Sequence, residues 1–449
     1  MKIKTSIRIN KLVTKICKLL GKNGSVYPGY IVYDVFKQKD VLSKVKYPKY
    51  VIAITGSSGK GSTTDMINHI LTDAGYDVCY NKSGSNGVLA AATLILNNCD
   101  KNGNFLHDVL LLECDERHLK LIFDKNKPSH LIITNMTRDQ PSRNIHPDSV
   151  FKDIKEAIND DMTLVINADD PLLQRLKYES KNKIITYGVA KNSDSYTDNK
   201  VIYPDYAYCP LCHSKLDYKY YNYGHIGNYE CPKCKFKRGN VDYEVTNIDY
   251  DKHTITIDNK ELYLNKDVLY AVYYMVASYA MVKEIGVKDK DILNAINTDS
   301  KSSKRGKELK LDGRKLTMLE SKNENNLSYY QSIKYITSRK GVKTVILGFD
   351  NVSRRYKFND LSWLYDVNFE LLNDKKIDKI IVIGRFRYDV ATRLEMAGID
   401  DNKMILVHDF HNLLDVIKNK TQGELYTMVC FDMTANILDL VKEEEHEEV

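Results

Sequence analysis

Tryptophan is nearly missing from this chain of 449 residues: there is one indole, Trp363, against 32 tyrosines. No apolar stretch reaches the roughly 18 residues that a membrane-crossing helix needs, so none is expected. The first 20 residues hold no uninterrupted apolar block, so they are not expected to be a secretory leader. No cysteine sits at a recognisable nucleophile turn with a histidine paired to it. A large charge of one sign is missing too. The 66 bases and 60 acids leave a formal net charge of +6, too mild and too spread to indicate a nucleic-acid partner. Cysteine is sparse, with nine residues. Five of them (Cys17, Cys79, Cys99, Cys114 and Cys430) are scattered, mostly in apolar runs, and read as small buried hydrophobes. What is left is the composition of a soluble cytosolic protein, 43 % apolar and 28 % charged, long enough for two or three domains.

Against this plain background one stretch stands out, Gly56-Ser57-Ser58-Gly59-Lys60-Gly61-Ser62-Thr63-Thr64. It follows the β-branched run Tyr50–Thr55 and precedes Asp65–Leu71, whose apolar residues have helical spacing. Strand, glycine loop, lysine and helix together make a phosphate cradle. Glycines let backbone N–H groups curl around phosphate oxygens, and the helix N-terminus adds partial positive charge. Lys60 would reach the β- and γ-phosphates, and the hydroxyl of Ser62 or Thr63 would face Mg²⁺. Lys60 reads here as an exposed loop lysine that contributes little to stability. The spacing departs from the common P-loop: two residues separate the first glycines, and Gly61 follows the lysine. The plainer reading is a Gly/Ser-rich turn with a surface lysine.

The second feature is Cys209-Pro-Leu-Cys212 followed by Cys231-Pro-Lys-Cys234. Two Cys-x-x-Cys knuckles at this separation fit a closed tetrahedral Zn²⁺ site. Four thiolates leave no open position, so the site reads as structural. Disulfides are the weaker reading in a chain that otherwise looks cytosolic. The tyrosines and bases of Tyr218–His225, between the knuckles, would also suit a nucleic-acid-binding ribbon.

The organisation follows. Residues 1–48 form an N-terminal arm, whose first 20 residues are basic and amphipathic. They suit a helix packed on the next domain, or contact with an anionic membrane surface. Residues 49–300 form an α/β ATP-binding domain, interrupted by the ribbon at about 203–242. The polar, basic stretch Thr298–Lys307 is a hinge. Residues 301–449 alternate again: Thr344–Gly348, Lys379–Gly384 and Met404–Val407 read as parallel strands of a Rossmann-like sheet. The tail from Glu443 is an acidic run.

The glycine loop resembles the ATP site of the Mur ligase superfamily, which includes the folylpolyglutamate synthases. Leu110–Glu116, a strand ending in acids, Thr134–Gln140 and Val165–Pro171 resemble three further signatures of that superfamily, in the same order. With the ribbon, the C-terminal third narrows the resemblance to the MurT family, the ligase subunits of lipid II isoglutaminyl synthases. Asp360–Glu370, which holds the only tryptophan, is similar to the family's Asp-x-Ser-Trp-x-Trp-Asp-x-x-Phe-Glu segment. Gly384–Asp389 with Arg393-Leu394 and Ala397-Gly398, Lys322-Asn323, and Gly21–Gly29 resemble others. The resemblance covers nearly the whole chain.

It implies a Mur-type α/β fold and a ligase that couples ATP cleavage to amide formation. Glu113 would hold Mg²⁺ with Ser62. Gly56, Ser57, Ser58, Gly59, Lys60, Gly61, Ser62 and Thr63 would cradle the nucleotide. Asn167 and Asp169 would lie on its side of the sheet, and Arg305 at the domain junction. In several Mur ligases a lysine near the position of Lys155 is carbamylated and holds a second Mg²⁺; Lys152 is almost as well placed. The acceptor implied is the α-carboxylate of D-glutamate in the stem peptide of lipid II, met at the inner membrane face. The partner implied is a GatD-like glutaminase subunit supplying ammonia, its cysteine–histidine pair completed by Asp360 or, next in order, Asp366.

Three departures mark a divergent member. Asp267–Tyr274 lacks the asparagines of the family, one of which meets adenine. Arg305-Gly306-Lys307-Glu308 exchanges the first two residues of Gly-Arg-x-Glu. Ser353–Asn359 replaces an Asp-Gly-Arg stretch. Two other readings remain open: a folylpolyglutamate synthase-like or other Mur-type amino-acid ligase, against which the ribbon and Ser362-Trp363 argue, and a zinc-ribbon nucleic-acid-binding ATPase, which would need a concentrated basic face.

Overall fold

Consecutive apolar residues, unlike alternating ones, mark strands that are covered on both faces. Val51–Thr55, Val109–Leu112 and Leu131–Ile133 are such runs, and all of them are buried in the computed structural model. The structure describes residues 1–82, 85–138, 146–198, 205–302, 309–319, 325–350 and 359–447. Contacts divide the chain into two compact units. The first comprises Met1–Met136, Asp148–Thr197 and Tyr206–Lys301; the second comprises Thr137–Pro147, Asp198–Asp205 and Ser302–Val449.

The strands of the first unit are β1 (Tyr50–Thr55), β2 (Val78–Tyr80), β3 (Val109–Glu113), β4 (His130–Ile133), β5 (Thr163–Asn167), β6 (Lys183–Val189), β7 (Asp217–Tyr223), β8 (Ile226–Glu230), β9 (Tyr243–Asp249), β10 (Thr254–Ile257) and β11 (Lys260–Tyr263). Nine of them form one sheet in the order β11-β10-β9-β6-β5-β4-β1-β3-β2. From β2 across to β9 every pairing is parallel, and β10 and β11 add an antiparallel margin. The chain leaves β1 toward β3 and β2, then returns to place β4 on the other side of β1. The order reverses between β1 and β4, and ligands of open α/β sheets bind beyond the carboxyl ends of the strands at such a reversal.

The helix Leu269–Glu284 lies against the helix Lys60–Asp73 and strands β5, β6 and β9. It is apolar all round and almost wholly buried, as a helix covered on every side must be. At the start of the chain the helix Ile3–Leu19 packs one face on the helix Val88–Asn97. There Asn10 donates to the Thr93 carbonyl at 3.0 Å and to Asn97 Oδ1 at 2.9 Å. The ribbon hairpin, β7 with β8, is antiparallel.

The second unit holds β12 (Leu309–Leu311), β13 (Arg314–Met318), β14 (Lys343–Gly348), β15 (Ile377–Ile383), β16 (Met404–Leu406) and β17 (Glu424–Val429), in the order β12-β13-β17-β14-β15-β16. All neighbours except β12 and β13 are parallel. The three strands expected from the sequence are β14, β15 and β16. The sheet also holds β17, threaded between β13 and β14, which local patterning does not announce. Trp363 fills the core of this unit, with its ring centroid 5.1 Å from that of Tyr329 and 5.9 Å from that of Phe349.

One buried ion pair fastens the ribbon to the sheet. Asp169, just past β5, is fully buried, and Arg238, just past the second knuckle, is 7 % exposed. Arg238 Nε donates to Asp169 Oδ1 at 2.6 Å, while Tyr273 Oη and the Val189 N–H donate to Oδ2 at 2.6 and 2.9 Å. Burial pushes the Asp169 carboxyl above the ordinary aspartate range, and Arg238, Tyr273 and Val189 pull the other way. Gly188 permits the close approach, because a Cβ there would lie 2.6 Å from Asp169 Oδ1. Removing one member of such a pair strands the other charge in a low dielectric, which costs about 3 kcal/mol or more. Arg238→Met is therefore expected to destabilise the chain by about 3 kcal/mol in chemical denaturation, with part recovered by adding Asp169→Asn. Unchanged stability of the single variant would contradict this role.

Candidate ATP site and zinc ribbon

The glycine loop opens where the sheet order reverses. Gly59 caps the helix Lys60–Asp73 in the left-handed region, with φ of 80°. Gly56 has φ of 124°, and a Cβ on it would lie 2.3 Å from Thr134 Oγ1, so only glycine fits. The two residues after β4 brace the loop from across the crevice. The Ser57 N–H donates to the Asn135 carbonyl at 2.8 Å. Asn135 Oδ1 accepts from the Ser58 N–H and hydroxyl, both at 3.1 Å, and Thr134 Oγ1 donates to the Ser58 carbonyl at 2.7 Å. The Thr134-Asn135 signature thus has a physical task, which is to hold Ser57 and Ser58 in the shape of the cradle.

Lys60 differs from its expected setting. It is 8 % exposed rather than an exposed loop residue, and its Nζ donates to Glu116 Oε1 at 2.7 Å and to the Gly56 carbonyl. Glu113 ends β3 beside Ile54 of β1. Its Oε1 accepts from Asn86 Nδ2 at 3.2 Å, and its Oε2 is 3.3 Å from where a Cβ on Gly61 would be. The same acid-rich strand end therefore supplies two carboxylates with separate settings. One neutralises the loop lysine, and the other lies beside Gly61. The hydroxyls also differ. Thr63 is buried and donates to the Gly59 carbonyl at 2.8 Å, whereas Ser62 is exposed at the start of the helix.

Asn167 and Asp169 end β5 at the same carboxyl edge of the sheet. Both are buried, and the Asp169 carboxylate is engaged by Arg238, Tyr273 and Val189. Lys155 is paired with Glu179 at 2.5 Å on the exposed side of its helix, and Lys152 is exposed on the same helix, which is the setting of ordinary surface lysines. In the second unit Asp360 Oδ1 accepts from the Ser362 N–H at 2.9 Å, starting the turn that leads to Trp363. Asp366 Oδ2 accepts from Arg138 Nη1 at 2.9 Å. Arg305 and the rest of Arg305–Glu308 lie outside the described residues, as do Asp139-Gln140, Lys322-Asn323 and residues 353–358.

The four ribbon cysteines converge. Their Sγ atoms all lie within 4.8 Å of one another, with Cys209 and Cys234 3.6 Å apart and Cys212 and Cys231 3.4 Å apart. A disulfide would need a separation of about 2.05 Å, and all four are free thiols. Four thiolates about 2.3 Å from one Zn²⁺ stand about 3.8 Å from each other, close to what is seen. Left to themselves the thiols are mismatched: burial pushes Cys209 up to about 12, while hydrogen bonds from Ser214 draw Cys212 down to about 6. A dication would bring all four to the thiolate form. Gly227 N donates to the Asp169 carbonyl at 2.9 Å and Tyr229 Oη to the Ala168 carbonyl at 3.1 Å, so the ribbon hairpin is bound to the end of β5.

With this geometry in place, the comparisons with known proteins are specific. Residues 54–224 match the Mur ligase middle domain, and residues 323–433 match the MurT ligase C-terminal domain. Along 402 residues the chain is 28 % identical to the lipid II isoglutaminyl synthase (glutamine-hydrolyzing) subunit MurT of Staphylococcus aureus strain N315, covering 88 % of each chain. The chain belongs to the MurT-type Mur ligases. The Streptococcus pneumoniae subunit of the same name is 24 % identical to it over 426 residues, 93 % of this chain and 92 % of that one. Among solved structures, a pseudomurein peptide ligase type C from Methanothermus fervidus superposes with a TM-score of 0.65 at 19 % identity, covering 90 % of this chain and 80 % of its own. MurF from Acinetobacter baumannii gives 0.58 at 13 % identity, covering 90 % and 78 %. These two share the Mur-type fold.

A MurT-type Mur ligase is an ATP-dependent ligase, and its P-loop fold implies ATP with Mg²⁺. Among the described residues no helix is long and apolar enough to cross a membrane. The sequence missed Glu116 as the partner of Lys60 and Arg238 as the anchor of the ribbon. A base four residues beyond the last ribbon cysteine is the local signal for the latter.

Two outcomes are expected. The purified chain should carry about one Zn²⁺ by elemental analysis, and Cys209→Ser should lose it; zinc-free protein from unchelated preparations would contradict the site. Lys60→Met should abolish ATP-dependent turnover and cost about 3 kcal/mol of stability, because it strands the Glu116 carboxylate. Adding Glu116→Gln should recover stability without activity, whereas turnover by Lys60→Met at saturating ATP would remove the lysine from the site.

Proposed function

We propose that this chain is the ligase half of a two-subunit amide synthase that converts the α-carboxylate of D-glutamate in the lipid II stem peptide to the amide, giving D-isoglutamine. The reading rests on one observation: the MurT-type C-terminal match is joined to an intact Mur-type phosphate loop. The named activity of the S. aureus and S. pneumoniae relatives supports it. A carboxylate is a poor acylating agent because its leaving group would be oxide. An acceptor oxygen therefore attacks the γ-phosphorus, and ADP departs. The nitrogen lone pair of ammonia then attacks the acyl carbon, phosphate leaves with the bonding electrons, and a proton is released. The protein's part is charge neutralisation and alignment. Lys60 would leave Glu116 for the β- and γ-phosphates, the cradle N–H groups would hold phosphate oxygens, and Ser62 and Glu113 would hold the Mg²⁺ of the nucleotide.

Ammonia would come from a GatD-like glutaminase subunit in a heterodimer. We assign Asp360 to the completion of that subunit's cysteine–histidine pair. Asp360 is partly exposed and makes one local cap, whereas Asp366 is 17 % exposed and paired with Arg138. A carboxylate in that role fixes the imidazole tautomer and stabilises its charged form.

The test separates the two nitrogen sources. The chain alone should ignore glutamine yet amidate slowly with free ammonia at high pH. Adding a GatD-like subunit should switch on glutamine use. Asp360→Asn should then reduce glutamine hydrolysis by about a hundredfold or more and spare ammonia-driven amidation. Equal loss of both activities would place Asp360 in the ligase site. The same separation from Asp366→Asn alone would exchange the two residues, and its absence in both variants would end the shared-triad assignment.

A further inference from the structure

The helix Ile3–Leu19 has two faces that want different surroundings. Ser6, Ile7, Asn10 and Cys17 are buried against the first unit. On another side Leu12, Ile16, Leu19 and Leu20 recur at i, i+4, i+7 and i+8, forming one stripe, and all four are exposed. Leu19 is 86 % exposed and Leu20 69 %. Scattered single exposed leucines need no explanation, but a continuous stripe does. Tyr27, Tyr30, Val35 and Phe36, which follow in the chain, are also exposed.

The charge beside the stripe is one-sided. Lys4, Arg8, Lys11, Lys15 and Lys18 recur at i, i+4, i+7, i+11 and i+14, a second row along one edge of the apolar stripe. Lys11 donates to the Cys99 carbonyl at 2.7 Å, and the other four are exposed. The first acid in the chain is Asp34. Residues 1–39 hold nine bases and one acid, whereas the formal charge of the whole chain is only +6, so the remaining residues are net acidic. The positive charge that the composition makes look diffuse is gathered around this apolar stripe.

We propose that this face docks on an anionic lipid bilayer, with Leu12, Ile16, Leu19 and Leu20 entering the headgroup–acyl boundary and the row of bases meeting lipid phosphates. An apolar stripe edged by lysine is the pattern of helices that lie in a membrane interface. A protein partner would satisfy the leucines equally well, but the run of bases without acids matches an anionic bilayer. Each base near such a surface adds attraction that fades within a Debye length. Docking brings the ligase to a substrate that is itself lipid-anchored under the proposed function, yet it depends only on this surface.

The test is co-sedimentation of the full-length chain with vesicles. Phosphatidylcholine vesicles containing phosphatidylglycerol should bind it, pure phosphatidylcholine vesicles should bind it weakly, and added salt should release it. Leu19→Glu with Leu20→Glu, and separately Lys15→Glu with Lys18→Glu, should each weaken binding about tenfold or more. These side chains are exposed, so circular dichroism and zinc content should match those of the unaltered chain. No sedimentation with the anionic vesicles would overturn the proposal, as would equal binding to both vesicle types. Concentration-dependent dimerisation lost in the leucine variant, without vesicle binding, would instead assign the stripe to a second copy and overturn it too. Ammonia-driven amidation of an acceptor without its lipid is scored separately. Its presence without vesicle binding leaves the enzyme and removes the docking face, and its absence with vesicle binding does the reverse.

Discussion

The carboxylate of Asp169 sets the terms for the first unit. It lies where a negative charge has no water, so it must be met by donors from every direction. Those donors come from three places far apart in the chain: Arg238 beyond the ribbon, Tyr273 on the long buried helix, and Val189 at the end of β6. Asn222 of the ribbon hairpin donates in turn to Tyr273 Oη at 2.8 Å and to the Val189 carbonyl at 3.0 Å. One charge thereby fixes the relation of ribbon, helix and sheet. A cysteine cluster inserted into a surface connection could otherwise swing on its linkers. Here its anchor shares a hydrogen-bonded cluster with the end of a central strand.

The phosphate loop shows a different economy. In the described state Lys60 is neutralised by Glu116 and held against the carbonyl of Gly56. The lysine is thus held in one place, and its burial is tolerable only because a carboxylate is present. Under the proposed function, a phosphate bound there would have to compete with Glu116 for the lysine. The bracing of Ser57 and Ser58 by Asn135 works in the opposite sense, since it removes the freedom that would otherwise be lost on binding.

What could be read in the sequence was what is local. The strand–loop–helix order around Lys60, the two cysteine knuckles and the apolar runs of β14, β15 and β16 each carry their signal within a few residues. What escaped was long-range pairing. β17 is not among the strands that the sequence predicts, and nothing nearby says that it threads between β13 and β14. Glu113 and Glu116 are three residues apart on one strand end, and only the fold reveals which of them meets Lys60. The burial of Lys60 itself was invisible, because a lysine in a glycine loop looks exposed until the acid facing it is known. The basic arm was legible as amphipathic, but only the structure shows that one apolar face is used and another is left over.

The placement of the lone tryptophan has a practical consequence. Trp363 is 2 % exposed in the aromatic core of the second unit, while the first unit contains no indole. Emission excited selectively through indole therefore observes one half of the molecule and is blind to the other. Backbone ellipticity sees both. The two signals together resolve whether the halves melt as one or in sequence, without a label or an engineered fluorophore. Coincident transitions would license a single unfolding free energy for the chain, and separated ones would require two.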